Sequence, residues 1–173
     1  MELNVVMTEA GAGYDISSKD LRMCPEKIGS GSLNDVYRGH LTAGLRWPRR
    51  RVCVVKKIVR DSSLFPASFA VKQIKAAAAV LQSDKAPDGW FVKLVGVSAD
   101  EHYFYLIQED MAGGVLRKCI DEPWLEGDAK ILGRQLFTSM KFMHDNQLMH
   151  LDLKPGVRIP SHLTCLCLPP GGI

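Results

Sequence analysis

The sequence is poor in the features that mark several classes of protein. No stretch approaches the ~20 uninterrupted apolar residues that a membrane-spanning helix needs, so no membrane partner is expected. The opening Met1-Glu2-Leu3-Asn4 has neither the basic flank nor the apolar core of a secretory signal, and Glu2 stands where N-myristoylation needs glycine. Cysteine is sparse: Cys24, Cys53, Cys119, Cys165 and Cys167 are an odd set of five without a framework spacing. Reduced thiols in the cytoplasm, or in the nucleus, are therefore expected. Neither sign of charge dominates. Lys and Arg number 22 against 19 Asp and Glu, a net charge of +3, which is too slight to point to nucleic acid as a partner.

What is present is an ordinary globular balance. The 173 residues are 46% hydrophobic and 24% charged, enough for one compact domain or one and a fraction, and too apolar for wholesale disorder. No internal repeat is visible. Residues 1–21 carry Gly11, Gly13 and the turn-prone Ser17-Ser18 and read as a loosely ordered arm. Val52-Cys53-Val54-Val55 is a short β-branched run typical of a buried strand. Residues 67–81 lack Gly and Pro and contain Ala76-Ala77-Ala78-Ala79, which predicts a helix. Residues 91–97 and 103–107 read as strands separated by Ser98-Ala99-Asp100.

After Met111 the period changes. Leu132, Leu136, Met140 and Met143 lie on one face of a helix predicted over residues 128–145. A strand-rich first part followed by a helical second part predicts two lobes with a cleft between them. Residues 157–173 differ again, with Pro160, Pro169, Pro170, Gly171 and Gly172 and a single formal charge at Arg158.

Three motifs carry chemistry. Gly29-Ser30-Gly31, within the run from Ile28 to Tyr37, is a glycine turn leading into a strand. Glycines there let the backbone approach a phosphate and offer it amide donors, although an ordinary hairpin turn would look the same. Lys56 closes the apolar strand Cys53-Val54-Val55-Lys56, where a solvated strand end is the plainer reading. His150-Leu151-Asp152-Leu153-Lys154-Pro155 follows the long helix as a loop ended by proline.

In this order the motifs resemble the eukaryotic protein kinase family, serine/threonine-kinase-like, over residues 22–156. Tyr105-Leu106-Ile107-Gln108-Glu109-Asp110-Met111 resembles the fifth strand and hinge, and Gly113-Gly114-Val115-Leu116 the start of the helix beyond it. The resemblance implies an α+β, two-lobed fold: a five-stranded N-lobe with one helix and the hinge at 22–111, and the start of a C-lobe at 112–156. ATP would lie between the lobes, its adenine sandwiched by Ile28, Val36 and Val54 and hydrogen-bonded to backbone near Glu109 and Met111. Gly29 and Gly31 would cradle its phosphates, and Lys56 would hold the α- and β-phosphates. Asp152 would orient the substrate hydroxyl and accept its proton, with Lys154 on the γ-phosphate.

The sequence also departs from the family pattern. Asn34 replaces the third glycine of the loop, and Leu151 the arginine before the catalytic aspartate. No glutamate occurs between Glu26 and Glu101; by register with Ile74 and Val80, Gln73 takes the position that in the family pairs with the lysine, and the charge-assisted part of that contact is lost. Val157 stands where the family has a magnesium-binding asparagine, and residues 153–173 contain no Asp, Glu, Asn or Gln. Magnesium needs hard oxygen ligands, so Mg2+ is implied by the family while its usual ligands are absent, and no metal-binding residue is assigned. A kinase domain cut off in its catalytic loop, with an atypical tail at 157–173, is the expectation. Two functions follow: an ATP-dependent kinase acting on protein Ser/Thr hydroxyls, impaired in this chain, or a non-catalytic pseudokinase fragment that binds ATP or a regulatory protein.

Other clusters carry less. His162, Cys165 and Cys167 fall short of the four ligands of a structural zinc site. Arg46-Trp47-Pro48-Arg49-Arg50-Arg51 reads as a solvated hairpin insertion between two strands.

Overall fold

The β-branched and aromatic runs of the first half assemble into a single sheet in a computed structural model, which describes residues 15–31, 34–42, 51–60, 91–111, 113, 116, 124–150 and 153–154. Its strands are β1 (Leu21–Ser30), β2 (Asn34–Leu41), β3 (Arg51–Val59), β4 (Leu94–Ala99) and β5 (Tyr103–Glu109), followed by helix α1 (Glu126–Asp145). The order across the five-stranded sheet is β1-β2-β3-β5-β4, and every neighbouring pair is antiparallel. The helix expected over residues 67–81 lies outside the described residues. Two compact units divide the chain: residues 1–84 with 92–110, and residues 85–91 with 111–173.

Strand β3 is apolar on both sides because it lies inside the sheet. Cys53 and Val55 join Leu41, Val95, Ile107 and Ile16 in one buried cluster. The alternate residues Val54 and Ile58 are also buried, as are Phe104 and Leu106 on β5. Alternation along a strand sends successive side chains to opposite faces, so a strand covered on both sides reads as a continuous apolar run. Ile16 comes from the segment expected to be loose. Its amide donates to the Val97 carbonyl at 2.9 Å, and Asp15 bridges to Val97 in parallel. The Ser17-Ser18 turn does form, with the Asp20 amide on the Ser17 carbonyl at 2.9 Å.

Asp100 organises the β4–β5 hairpin. Its Oδ1 accepts from the amides of His102 and Tyr103, both at 2.8 Å, and its Oδ2 accepts from the Tyr105 hydroxyl at 2.6 Å. An aspartate that bonds backbone two and three residues on is a standard turn former. Partial burial opposes its charge, but these three donors outweigh that and hold the carboxyl below its ordinary pKa. Burial, and then the same contact, push the Tyr105 phenol up.

Strand β4 begins at Leu94, three residues later than the expected strand start. Phe91 belongs instead to the second unit, where its ring meets Phe142 of α1 at 5.4 Å and 54°. Helix α1 begins two residues before its predicted start and ends where predicted. Glu126 and Asp128 suit its positive N-terminal end, and Glu126–Lys130 and Lys141–Asp145 pair one turn apart, both at 2.6 Å. At the other end Gln147 takes φ 59°. The Gln147 amide then bonds His144 O at 2.9 Å and the Leu148 amide bonds Met143 O at 2.8 Å, the paired closure of a Schellman turn. Among the described residues, no helix is long and apolar enough to cross a membrane.

Candidate nucleotide site

The glycine turn sits at the tip of the β1–β2 hairpin. The Gly31 amide donates to the Asn34 carbonyl at 2.8 Å. Lys27 Nζ lies 2.8 Å from Asp35 Oδ2, and the Ser30 hydroxyl donates to Asp35 Oδ1 at 2.8 Å. The Ser30 and Lys27 contacts both favour the Asp35 carboxylate, and its pKa falls, the Lys27 contact contributing most. Ile28 sits in an irregularity of β1, where the register steps from Lys27↔Tyr37 to Gly29↔Val36. A β-bulge of this kind bends the strand locally.

Glycine at positions 29 and 31 is not demanded by packing. A Cβ on Gly29 would meet Val36 at an ordinary 3.7 Å, a Cβ on Gly31 would meet Asn34 at 3.6 Å, and neither residue has a φ in the left-handed region. Gly39 on the same hairpin is different: a Cβ there would come within 3.0 Å of Val55 Cγ2 and 3.3 Å of Cys53 Sγ. Gly39 is needed by the fold, whereas Gly29 and Gly31 leave bare backbone that the fold does not fill. Such backbone suits close approach by a phosphate.

The register brings Gly29, Val36, Val54 and Lys56 together. Val36 on β2 lies opposite both Gly29 on β1 and Lys56 on β3. Val54, two residues before Lys56 and so on the same face, is 7% exposed and lies opposite Gln108 on β5. A glycine turn, two valines and a lysine thus occupy adjacent positions on three strands. Glu109 ends β5 and is tied to Lys93: its amide donates to Lys93 O at 3.0 Å, and its Oε1 accepts from the Lys93 amide at 2.7 Å. The Glu109 side chain is thus engaged within the sheet unit. Met111 belongs to the second unit and is 8% exposed. Lys154 is exposed. Asp152, Gln73 and Val157 lie outside the described residues.

Three residues at this face escaped sequence reasoning. Gln108 shares the face of Val54 and Lys56 through its register with Val54. Arg38, two residues after Val36, lies opposite Val54 from the other side, and its Nε is 3.3 Å from Oδ2 of Asp110. Extending the alternation of β2 from Val36 would have reached Arg38, but the partner across β3 depends on register. For a metal, the donor set does not fit: among the described residues no group of three or more His, Cys, Asp or Glu could hold one, and residues 153–173 offer no carboxylate or carboxamide side chain.

The protein kinase domain model matches residues 24–156, and the chain belongs to the protein kinase family. Its relatives include the serine/threonine-protein kinase ULK3 of Rattus norvegicus, 29% identical over 148 residues, which are 84% of this chain and 29% of that protein. ULK3 of Xenopus laevis is 30% identical over 75% of this chain and 26% of its own length. Serine/threonine-protein kinase D of Synechocystis is 25% identical over 82% of this chain and 28% of its own length. The chain therefore spans less than a third of the relatives it matches. In fold it is similar to the crystal structure of Rad53 1-466 in complex with AMP-PNP, with a TM-score of 0.58 at 22% identity, covering 80% of this chain and 34% of that one.

Proposed function

We propose that this chain binds ATP in the manner of a serine/threonine protein kinase. The observation that carries the reading is the placement of Val36, Val54 and Lys56 on one sheet face beside a glycine turn whose glycines the fold itself does not require. Ile28, Val36 and Val54 cover the adenine, whose edge bonds backbone near Glu109 and Met111. The Gly29-Ser30-Gly31 backbone receives the phosphates, and the Lys56 ammonium pairs with the α- and β-phosphates. In phosphoryl transfer Asp152 orients a protein Ser or Thr hydroxyl and takes its proton as the oxygen bonds to the γ-phosphorus; the bond from that phosphorus to the β,γ-bridging oxygen breaks and ADP leaves, while Lys154 steadies the γ-phosphate.

Magnesium does not fit the side chains of the described residues or of residues 153–173. That donor set favours a second reading for the chain as it stands: a nucleotide-binding module of pseudokinase type, impaired in transfer, that acts on a protein partner. Thermal melts of the purified chain with and without ATP test the binding shared by both. At about a hundred times its dissociation constant, a ligand stabilises the folded state by ~2.7 kcal/mol. The wild type should gain stability and Lys56→Met much less; equal melts in the presence and absence of ATP overturn the reading. Incorporation of γ-phosphate into a protein substrate, lost in Asp152→Asn, then separates the kinase from the pseudokinase.

A further inference from the structure

Strand β1 is an edge of the sheet, and the β1–β2 hairpin joins the other strands through the β2–β3 ladder. One side-chain link spans further. Arg38 lies opposite Val54, and Val54 lies opposite Gln108, so Arg38 and the chain end of β5 are separated by the width of β3. The Arg38 Nε nonetheless reaches Asp110 Oδ2 at 3.3 Å, with the Asp110 side chain 14% exposed and that of Arg38 47% exposed. Because Arg38 is two residues from Val36 on the same strand, this link borders the face that carries Val36, Val54 and Lys56.

We propose that Arg38 and Asp110 form a positioning pair for the nucleotide site. It holds β2 to the segment just beyond β5, and so sets the spacing between two surfaces that one base must satisfy. One is the apolar cover of Val36 and Val54; the other is the backbone at Glu109 that reads the edge of the ring. The ladders alone fix this spacing only through two successive strand pairings, each free to twist. A charge pair joining the ends directly removes that freedom. The inference rests on the nucleotide reading above and adds to it two residues that contact no phosphate.

The test measures, in the full chain, amide hydrogen exchange along β2 without ligand and ATP affinity by titration, for wild type, Arg38→Ala, Arg38→Lys, Asp110→Ala, the double alanine variant and the charge-reversed pair Arg38→Asp with Asp110→Arg. Each single alanine should speed exchange of the β2 amides and weaken ATP binding about threefold to fivefold, the scale of a partly exposed ion pair. The double variant should lose less than the sum of the two singles, since both remove the Arg38–Asp110 contact. Arg38→Lys and the reversed pair should recover most of both losses. Unchanged exchange and affinity in the singles, or additive losses in the double, overturn the proposal. Faster exchange with unchanged affinity also overturns it, by reducing the pair to a tie within the scaffold. A wild type that does not bind ATP instead overturns the nucleotide reading, and with it the pair's part in the site; the exchange data then still report whether the link holds β2.

Discussion

Strand β3 and helix α1 are both rich in apolar residues, yet they meet water differently. Cys53, Val54, Val55 and Ile58 are buried along the nine residues of β3. Over the twenty residues of α1 only Phe142 is buried, while Ile131 is 47% exposed and Phe137 73% exposed. An interior strand has hydrogen-bonded neighbours on both sides and faces that pack above and below, whereas a helix buries only the stripe that meets a partner. The sheet unit therefore contains a closed core, with Phe104, Leu41, Val55 and Ile107 fully buried. The geometry of the candidate site is a property of that core. Stability, too, should be concentrated there.

Truncating one buried ring in each region tests this directly. Phe104→Ala should cost about 3–5 kcal/mol, the range for an aromatic deleted from a packed core. Phe142, which meets Phe91 and is 9% exposed, should cost less on alanine substitution, about 1–3 kcal/mol, within the usual range for a point variant. Chemical unfolding followed by residue-resolved exchange is the measurement. Loss of protection in the sheet with Phe104→Ala, and only in α1 with Phe142→Ala, sharpens the contrast. Equal loss in both regions from either variant would mean that the two units unfold as one.

Within the sheet, the two kinds of glycine offer a second contrast. Gly39→Ala puts a methyl 3.0 Å from Val55 Cγ2 and 3.4 Å from the Arg22 carbonyl, so overpacking should cost about 1–3 kcal/mol. Gly29→Ala has ordinary space and should leave the ligand-free melting temperature nearly unchanged while weakening ATP binding. A Gly29→Ala variant that melts early and binds ATP normally would show that this glycine serves the hairpin and not a ligand.

These contrasts follow how much of the protein the sequence makes legible. β3 and the glycine turn are readable because their signals are local: a β-branched run and a Gly-x-Gly. Helix α1 is readable from Leu132, Leu136, Met140 and Met143, whose spacing needs no partner to be recognised. Ile16 is not readable, because one apolar residue beside a turn has no period; only the bond from its amide to the Val97 carbonyl places it in the core. Gln108 and the Arg38–Asp110 pair are hidden for another reason. Their neighbours are set by register across β3, and a shift of one residue would turn each to the opposite face. The strand expected at 91 begins at Leu94 because Phe91 packs on Phe142, a contact between segments far apart in the chain.

Asp100 marks the hairpin end of the sheet, and its chemistry gives that end a pH dependence. Its folded pKa is lowered, with burial opposing the charge and Tyr105, His102 and Tyr103 donating to it. Such a group adds stability above its unfolded pKa, about 3.9, and that contribution disappears as pH falls through the lower folded value. Asp100→Asn should therefore be less stable than the wild type near neutrality, and the gap between their melting temperatures should close as pH falls through the lowered folded value. The exposure of Asp100 keeps the effect small. A gap that stays constant with pH would assign the loss to hairpin geometry and not to charge.

The smallest effect concerns two thiols of the same sheet unit. Cys53 is fully buried in β3, and burial pushes its pKa up to about 11, while Cys24 on β1 is only partly covered. Alkylation proceeds through the thiolate and needs access, so Cys53 should resist a thiol reagent in the native chain and react only when β3 opens. Cys24, on an edge strand, should react first. Peptide mapping of the labelled chain reads both, and the rate at Cys53 then reports the opening of the core itself. If Cys53 labels as fast as Cys24 without denaturant, the interior strand is no better protected than the edge, and the contrast between a closed sheet core and an open helix fails at its strongest point.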